Sequence, residues 1–546
     1  MQLAMRFDYD AAFTAFRRPF NHWSIFMSQP SSARSFSASL AAMIGICLVI
    51  MLIALDTTVV ATAMPRIIAD LKGYELYTWT ASAYLLTNAI MIPIMGRLGD
   101  LYGRRPFVLG AIVLFTLASM LCGLSQSMIQ LVLARGLQGV GGGMLTGVAF
   151  ASVSDLFPNR LQRVRWQAML SATFGISTAI GPALGGWLTE HAGWHSVFYV
   201  NVPVALLALP VVWRCLPHIV HHDEKDKSID WLGALLLAVS VSTILLATEY
   251  GQAHGFFTVR FIGLTAMAVS TGALFIWHQH HSKAPIIPPR LLANRAVLQL
   301  ISLGALTGLV MFVLIYYAPL LLQGGFSLAP NAAGLLMTPL LVMITVGSIV
   351  NGRLIPRLQS PERLVAWGQA LLLVGCLLLL QLHATTPQVF SLLAFGVCGL
   401  ALGFQLPNLT LQVQAVVERR DVGIASAMIQ TTRMLGSMVG ASIAGVIVNE
   451  SYSRHLDSVL AASGLHNSSV TALLSSPQIL IRAQDQAELL SLGQRLNFDA
   501  AQLLEHARDG LITGVHHAWL ASALVMVIAI ALALRLPHFA VHAQDQ

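Results

Sequence analysis

Long apolar segments separated by short polar connections run along most of the chain. A membrane-spanning helix needs about 20 mostly apolar residues, and fourteen segments have that length. They lie near 40–63, 77–96, 107–126, 128–150, 167–189, 196–214, 231–250, 258–278, 297–322, 332–351, 364–383, 389–411, 422–448 and 514–536. Ten-residue stretches of alternating polar and apolar positions, which mark membrane β-strands, are absent from the sequence. The pattern predicts an all-α polytopic membrane protein with fourteen transmembrane helices.

Composition favours a membrane protein and excludes a soluble enzyme. Of the 546 residues, 56% are hydrophobic and 10% are charged, and the mean hydropathy is +0.71. A soluble domain carries about 25% charged residues, so the charged residues here are too few to cover a water-exposed surface. The five cysteines show no C-x-x-C spacing. We therefore expect neither a disulfide framework nor a zinc site.

The basic residues are distributed unevenly between the connections. With the N-terminus in the cytoplasm, 22 of the 31 Lys and Arg residues fall inside and 7 fall outside. Because basic residues are enriched in cytoplasmic loops, this bias predicts that both termini are cytoplasmic. It also accounts for the net charge of +7, so we expect no nucleic-acid partner.

The spans divide the chain into four regions. A cytoplasmic N-terminal tail, 1–37, precedes an N-terminal six-helix bundle, 38–216, and the tail is either an interfacial helix or a disordered extension. A charged linker with two inserted transmembrane helices occupies 217–295. The C-terminal six-helix bundle, 296–546, includes an extracytoplasmic loop, 450–513, in which apolar spacing predicts two or three short helices. That loop is either a docking surface or a lid.

Two sequence echoes predict that the second bundle repeats the first. Gly96-Arg-Leu follows span 2 and Gly352-Arg-Leu follows span 10, while a Gly-x-x-x-Gly pair lies in span 5 at Gly181 and in span 13 at Gly436. Parallel repeats of this kind place a substrate cavity between the two halves, near the middle of the membrane.

The connection between spans 2 and 3 carries the most specific motif. Its glycines permit close helix approach and a tight turn, and its acid lies among arginines, where it can pair with one of them or cap a neighbouring helix. We interpret it as a conformational latch; the alternative is simple anchoring of basic residues at the membrane surface. The residues concerned are Gly96, Arg97, Gly99, Asp100, Gly103, Arg104 and Arg105.

Asp56, Arg135 and Arg433 are charged residues that lie well inside predicted spans, away from the span ends. A lone charge in the bilayer costs about 2.5–3.5 kcal/mol on insertion scales, so such residues usually face a cavity and serve a function. We expect Asp56 to bind a proton or a cation, unless it lies at the outer interface. The alternative for Arg135 is that its side chain extends to the nearby outer surface.

Two further patterns could be mistaken for a nucleotide-binding loop and a metal site. The glycine run at 139–143 fails the G-x-G-x-x-G test for a nucleotide loop, whereas Gly139, Gly143 and Gly147 form a small-residue face for helix packing. The histidines at 218–222 and 278–281 lack defined ligand spacing. We therefore expect no metal site.

Several motifs together resemble a known family. The loop at 96–106 resembles the signature between helices 2 and 3 of the major facilitator superfamily. The segments 55–65, 135–143, 175–186 and 194–203 resemble helix motifs of its fourteen-span drug:proton antiporter family, which comprises multidrug efflux proteins. In the C-terminal half only the number of spans and the segment 430–436 match.

The resemblance implies a major facilitator fold of 6 + 2 + 6 helices in the cytoplasmic (inner) membrane of a bacterium. It implies proton coupling through Asp56 and Arg135, a proton gradient as energy source and no cofactor. The helix 5 antiporter motif would comprise Gly175, Gly181, Pro182, Gly185 and Gly186. Residues that we place in a substrate cavity are Tyr84, Gln138, Phe174, Tyr316, Tyr317, Gln430 and Arg433.

The function expected from these features is proton-coupled efflux of amphipathic drugs or other toxic small molecules. The partners would be small-molecule substrates, protons and the lipid bilayer, and a periplasmic adaptor protein could dock on the outer segment. Two alternatives stay open: an exporter of one solute, such as a siderophore, metabolite or antibiotic, and a membrane receptor that moves nothing. An enzyme is not expected, because no nucleophile–base pair or metal cluster lies within the spans.

Overall fold

The computed structural model is helical throughout the residues that it describes. These are 36–71, 76–157, 159–220, 229–255, 258–358, 360, 362–463, 467–496 and 498–537. The predicted N-terminal tail, apart from its last two residues, and the charged part of the linker, 221–228, lie outside them.

The helices fall into an N-terminal half, an inserted pair and a C-terminal half. The N-terminal half comprises α1 (Phe36–Leu71), α2 (Tyr77–Tyr102), α3 (Arg104–Gly123), α4 (Met128–Leu156), α5 (Arg160–His191), α6 (Ser196–Tyr199) and α7 (Asn201–Cys215). The inserted pair comprises α8 (Trp231–His254) and α9 (Val259–His281). The C-terminal half comprises α10 (Pro289–Ala293), α11 (Arg295–Leu320), a π-helical turn (Leu321–Gly325), α12 (Pro330–Leu354), a 3₁₀ turn (Ile355–Arg357), α13 (Arg363–Leu379), α14 (Gln388–Val416), a 3₁₀ turn (Arg419–Asp421), α15 (Val422–Ser463), α16 (Ser468–Leu474), a 3₁₀ turn (Pro477–Leu480), α17 (Ala483–Leu496) and α18 (Ala500–Ala533).

Each of the fourteen predicted apolar segments falls on a helix. Among the described residues, eleven helical segments are long and apolar enough to cross a membrane. The other three predicted segments form α2, α4 and α13. The first two have 26 and 29 residues and pack side by side, while α13 has 17 residues and packs between α14 and α18.

The segment 450–513 is more helical than the predicted loop. Helix α15 continues to Ser463 and α18 begins at Ala500, because buried positions such as Tyr452, Leu456 and Leu460 continue the helical spacing beyond the apolar stretch. Between them lie three short helical pieces, which agrees with the two or three that were expected. Their apolar residues join the core of the C-terminal half.

Glycine contacts make the internal repeat visible. Gly181 and Gly185 of α5 lie against α1 at Thr58 and Val59, and Gly436 and Gly440 of α15 lie against α11 at Ala305 and Leu309. A second correspondence joins α4 to α2 and α14 to α12. The sequence echo between the two halves therefore reflects the same helix-packing contact made twice.

The inserted pair lies over the seam between the two halves. Helix α8 packs on both α2 and α15, and Leu237, Val241 and Phe275 of the pair form an apolar cluster with Ala89 of α2 and Met438 of α15. Among the described residues the pair is thus attached to the rest of the bundle mainly through α8, and just 11% of the most apolar 18-residue stretch of α9 is buried.

Exposed tryptophans lie at two levels of the bundle. Trp213, Trp231, Trp277 and Trp367 lie at the end that holds the α2–α3 turn, and Trp187 lies towards the opposite end. Tryptophan is enriched at both membrane interfaces, so these side chains fit the two faces of a bilayer.

Candidate functional site

Asp56 lies inside the N-terminal half rather than at a membrane surface. Its side chain is fully buried on α1. Oδ2 accepts a hydrogen bond of 2.6 Å from Arg135 of α4, and Oδ1 accepts one of 2.7 Å from Gln138 Nε2, on the same helix. Oδ1 also accepts a bond of 3.2 Å from Asn201 Nδ2 of α7. Three helices therefore meet at one carboxylate.

Arg135 is held on every side. The same guanidinium nitrogen that pairs with Asp56 donates 2.7 Å to Gln138 Oε1, and Nε donates 3.4 Å to the Thr80 carbonyl of α2. Its charge lies 4.3 Å from the ring centroid of Tyr84, in cation–π geometry. Arg135 is 4% exposed, so its side chain does not extend to the membrane surface in this structure.

Local sequence explains why α4 can present these side chains to α1. Arg135 and Gln138 are three residues apart and so share one face of α4, and Ser127 caps the helix by accepting from Gln130 N. On the neighbouring face, Gly139 and Gly143 lie against the backbone of α2. The glycine run is a packing surface, as the small-residue spacing predicted.

Asn201 and Ser119 belong to this site and were not predicted. Asn201 Nδ2 donates 3.0 Å to Ser119 Oγ of α3, which donates 2.8 Å to the Phe198 carbonyl. Asn201 Oδ1 is buried and has no hydrogen-bond partner among the described residues. The sequence signal was a lone amide at the start of an apolar span, which the motif at 194–203 contains.

The predicted latch residue Asp100 joins the two halves. Its carboxylate oxygens accept hydrogen bonds from the backbone N–H groups of Gly423 (3.0 Å) and Ile424 (2.8 Å), the first turn of α15. A carboxylate at a helix N-terminus satisfies unpaired N–H groups and interacts favourably with the helix dipole. Asp100 also pairs with Arg104 at 2.9 Å, so it makes both contacts that its position suggested.

The remaining latch residues support this contact. Arg104 is buried and also pairs with Asp155 of α4 at 2.7 Å, and Arg105 donates to the Trp213 carbonyl. Gly103, with φ of +84°, forms the turn between α2 and α3. Gly96 lies against Gly423 and Ala427 of α15, and Gly99 lies against Val148 of α4.

Asp421 forms a second, unpredicted link at the same end. It accepts two hydrogen bonds of 2.9 Å from Arg290 of α10, and Arg97 approaches it to 3.9 Å. These hydrogen bonds hold the pKa of Arg290 above its ordinary value. The linker, α2 and the start of α15 thus meet at one carboxylate, a convergence that no spacing in the sequence indicates.

The helix 5 motif contributes to two packing surfaces. Gly181 and Gly185 contact α1 two to six residues beyond Asp56, and Gly175 contacts Thr345 of α12, in the other half. Pro182 lies within the continuous helix α5. A Cβ added at Gly186 would meet no atom within 4 Å, so this glycine makes no close contact.

The residues that we placed in a substrate cavity are scattered. Tyr84 and Gln138 lie in the Asp56 site, where they contact Arg135. Phe174 packs beside the apolar core of the N-terminal half. Tyr317 is buried in the core of the other half, where its hydroxyl donates to the Ala441 carbonyl, and its neighbour Tyr316 is 60% exposed. Gln430 and Arg433 lie on α15 within the bundle.

Helix α8 carries a hydrogen-bonded carboxylate at each end. Asp230 caps α8 and accepts hydrogen bonds from His278 and Gln279 of α9. Burial acts to raise the pKa of Asp230, but these hydrogen bonds hold it below its ordinary value. At the other end of α8, Glu249 accepts 2.6 Å from Ser82 of α2. His221 and His222 lie outside the described residues.

Two packed halves of apolar helices, with ion pairs buried between those helices, define a polytopic membrane protein. Major Facilitator Superfamily sequences match residues 46–441. The chain belongs to this superfamily, as its motifs predicted, and it is a transporter rather than an enzyme.

Several relatives are multidrug resistance proteins by name. Multidrug transporter protein MdtP of Bacillus subtilis (strain 168) is 32% identical over 406 residues, which cover 74% of this chain and 74% of that protein. Multidrug resistance protein 3 of the same organism is 30% identical over 448 residues, 82% of this chain and 87% of that protein. Multidrug resistance protein Stp of Mycobacterium tuberculosis (strain CDC 1551 / Oshkosh) is 30% identical over 404 residues, 73% of each.

Solved structures share the fold at low sequence identity. The human organic anion transporter MFSD10 (TETRAN) aligns over 89% of this chain and 99% of its own, with a TM-score of 0.56 and 14% identity. The proton:xylose symporter XylE aligns over 92% and 96%, with a TM-score of 0.55 and 12% identity. At such low sequence identity, these similarities show only that the fold is shared.

Proposed function

We propose that the protein is a proton-coupled antiporter that exports amphipathic drugs or other toxic small molecules across the cytoplasmic membrane by alternating access. The observation that carries this proposal is the buried Asp56 site. A carboxylate enclosed by an arginine and two amides inside a transporter half can take up and release one proton while its neighbours keep hydrogen-bond partners. The names of the relatives support drug export as the purpose.

The site can accommodate both protonation states of Asp56. While it is ionised, the pair with Arg135 is neutral overall. When it is protonated, Arg135 keeps Gln138 Oε1, the Thr80 carbonyl and the Tyr84 ring as partners. Asn201 Oδ1, the carbonyl oxygen of the amide that donates to Asp56, is buried and unpaired among the described residues, and it is a candidate acceptor for the new carboxyl O–H. Neither state leaves a buried charge without a partner, which would be costly.

Proton binding must be coupled to a change between two states of the molecule. Asp56 is fully buried here, so a proton reaches it only from another arrangement of the helices. The Asp100 contact with α15 is the element that such a change would break, since it links the two halves. We propose that Asp100 and its neighbours hold one state, with proton and substrate favouring opposite states.

We place the protein in the membrane with fourteen crossings and both termini in the cytoplasm. The eleven apolar helices, together with α2, α4 and α13, give the 6 + 2 + 6 arrangement. The bias of basic residues then places the Asp100 latch at the cytoplasmic end. In this orientation the structure is closed towards the cytoplasm.

The test is uptake of fluorescent amphipathic dyes of different charge into inverted membrane vesicles, driven by an imposed pH gradient. The wild type should accumulate dye, and the Asp56→Asn variant should not. Dye-for-dye exchange without a pH gradient should persist in this variant, because exchange requires no net proton transfer. Asp457→Asn makes the same chemical change at an exposed carboxylate and should behave as the wild type.

Uphill transport by Asp56→Asn on a pH difference alone would refute the proton-coupling role. Because this variant leaves Arg135 without its ion-pair partner, the Asp56→Asn/Arg135→Gln double variant serves as a second form in which both buried charges are absent. It should fold, bind dye and fail to couple. If wild-type vesicles took up no dye under any gradient, transport itself would be refuted.

A further inference from the structure

Gln430 and Arg433, one turn apart on α15, are polar side chains that have no partner among the described residues. Gln430 is 2% exposed, and neither Nε2 nor Oε1 of its amide makes a hydrogen bond. Arg433 forms no ion pair with any described carboxylate. Buried polar groups are almost always paired, and a lone cation within a membrane is expensive. These two side chains are therefore candidates for binding something that the protein chain itself does not supply.

Both side chains lie on a face of α15 that begins at the contact between the two halves. Ser426, Gln430 and Arg433 recur at helical spacing and form one stripe along the helix. One turn further, Ser437 donates 3.0 Å to the Gly308 carbonyl of α11. At the first position of the stripe, Ser426 accepts 2.9 Å from Gln414 of α14, whose Nε2 also donates 3.4 Å to the Phe150 carbonyl of α4. The stripe thus begins where both halves meet.

The neighbouring faces of α15 are occupied by other helices. On one side Ala427 lies against Gly96 of α2, and on the other Gly308 of α11 lies against the backbone of Arg433. Arg433 follows Val422, the first residue of α15, by eleven positions, about 16 Å along the helix. That is about half of the ~30 Å hydrocarbon thickness, the level at which transporters of this architecture hold their substrates.

The buried carboxylates of the N-terminal half already have arginine partners, which favours an anionic ligand as the counter-ion of Arg433. Asp56 is already neutralised by Arg135 at 2.6 Å, and Asp100 and Asp155 are paired with Arg104. The partly buried Arg433 guanidinium has no counter-ion among the described residues. It offers a planar fork of N–H donors that fits a carboxylate, and Gln430, three residues earlier, adds an amide N–H on the same face.

We propose that Arg433 and Gln430 form a binding site for the carboxylate, or a similar oxyanion, of an amphipathic substrate. The proposal rests on the export function proposed above and specifies its substrate class. An anionic cargo would give Arg433 the counter-ion that it lacks, and the aromatic or aliphatic remainder of the molecule would lie in the apolar surroundings.

The test compares one fluorophore in three charge states by fluorescence anisotropy with purified protein. The probes are 7-(diethylamino)coumarin-3-carboxylate, its neutral ethyl ester and a quaternary-ammonium amide of the same acid. The wild type should bind the carboxylate about tenfold or more tightly than the ester, since hydrogen bonds between ionised partners are the strong ones. It should bind the cation more weakly than both.

Substitutions assign that preference to the two side chains. Arg433→Gln should reduce carboxylate affinity to within about twofold of the ester and leave ester affinity unchanged, because only the charge-assisted bonds are lost. Arg433→Lys keeps the charge without the fork and should retain part of the preference. Gln430→Leu should weaken carboxylate binding severalfold. Thr432→Val, at a neighbour whose hydroxyl donates to carbonyls of its own helix, should change nothing.

Equal binding of all three probes by the wild type, or a preference for the cation, would overturn the proposal, and these results need no variant to fold. A carboxylate preference that survives Arg433→Gln would also overturn it. The assay contains no proton gradient, so its failure leaves the Asp56 experiment unaffected. Conversely, loss of coupling in Asp56→Asn says nothing about the charge preference of the binding site.

Discussion

At the scale of single residues, Arg135 shows why a buried charge here is not interchangeable with another of the same sign. Its NH1 group serves Asp56 and Gln138 while Nε reaches the Thr80 carbonyl and the guanidinium plane covers Tyr84. A lysine carries the same charge as a point, without the planar fork. Position, not charge alone, holds α1, α2 and α4 at this site.

We therefore expect Arg135→Lys to fold but to transport poorly. The lysine keeps the attraction to Asp56 and loses at least one hydrogen bond between charged and polar groups, about 1.5–3 kcal/mol each. That corresponds to a fall of roughly 10- to 100-fold in proton-driven transport, measured as initial dye uptake into inverted vesicles. Arg454→Lys, at an exposed ion pair with Glu450, is the matched control. An unchanged rate for Arg135→Lys would show that charge alone suffices.

The sequence identified the charged members of this site and missed their neutral partners. Asp56 and Arg135 are conspicuous because ionisable residues within apolar spans are rare. Asn201 and Ser119 are ordinary in type, and only the packing of α3 and α7 brings them to Asp56. Gln138 and Tyr84 were assigned to a cavity for the same reason: the sequence places them on spans but does not say which helix they face.

At the scale of helices, close packing depends on glycines that meet a neighbouring backbone. Gly143 lies on α4 opposite Asn88, and a Cβ added there would come within 2.5 Å of the Asn88 carbonyl oxygen. Gly136, two turns earlier on the same helix, has room for a methyl group, because the nearest atom to such a Cβ is Ala83 Cβ at 3.9 Å, an ordinary van der Waals distance. The two positions differ in surroundings and not in residue type.

Gly143→Ala should consequently destabilise the protein, and Gly136→Ala should not. Forcing a methyl group into the α2–α4 contact costs about 1–3 kcal/mol, as for other overpacked positions. The measurement is the midpoint of thermal unfolding in detergent, monitored by gel filtration of heated samples. A lower midpoint for Gly143→Ala, with Gly136→Ala at the wild-type value, is the expected result. Equal midpoints for both variants would contradict the packing argument.

Helices were more predictable than their ends. All fourteen apolar segments are helical in the structure, because the length of a span depends on consecutive apolar residues and not on distant contacts. The extension of α15 to Ser463 and the start of α18 at Ala500 depend instead on polar-faced turns whose apolar positions, such as Leu460 and Leu503, pack onto the rest of the C-terminal half. The mean hydropathy of such amphipathic ends is low, so a search for apolar segments does not include them.

At the scale of the whole molecule, the contacts between the halves lie on both sides of the α2–α3 end. Asp100 caps α15 on one side, and on the other side Gly352 of α12 lies against Ala168 of α5. Alternating access requires both contacts to open. A link across either one should therefore trap the state seen here.

A disulfide between Ala168→Cys and Gly352→Cys tests this requirement. A Cβ added at Gly352 would lie 2.7 Å from Ala168 Cβ, so α5 and α12 need to separate by about 1 Å to reach disulfide geometry. With the five native cysteines replaced, oxidation should stop dye transport and reduction should restore it. Each single cysteine variant should be unaffected by oxidant. Full transport by the cross-linked protein would show that this end stays closed during the cycle.

The charge of the cargo determines how the whole molecule responds to voltage. If one proton enters for each molecule exported, a neutral cargo moves one charge per cycle, and 100 mV then contributes about 2.3 kcal/mol. An anionic cargo leaving the cell adds a second charge in the same electrical direction, so the same voltage contributes about 4.6 kcal/mol. These values correspond to concentration ratios of roughly fifty and two thousand.

Transport of an anion should for this reason respond about twice as steeply to membrane potential as transport of its neutral ester. The measurement uses proteoliposomes without a pH gradient, a potassium diffusion potential set by valinomycin, and the coumarin carboxylate and ester as probes. The voltage that just balances a fixed tenfold gradient of each probe gives the number of charges moved. Arg433→Gln should lower the rate for the carboxylate and leave this voltage unchanged, because a binding residue alters kinetics and not the stoichiometry. Equal voltages for both probes would mean that the carboxylate is exported in its protonated, neutral form.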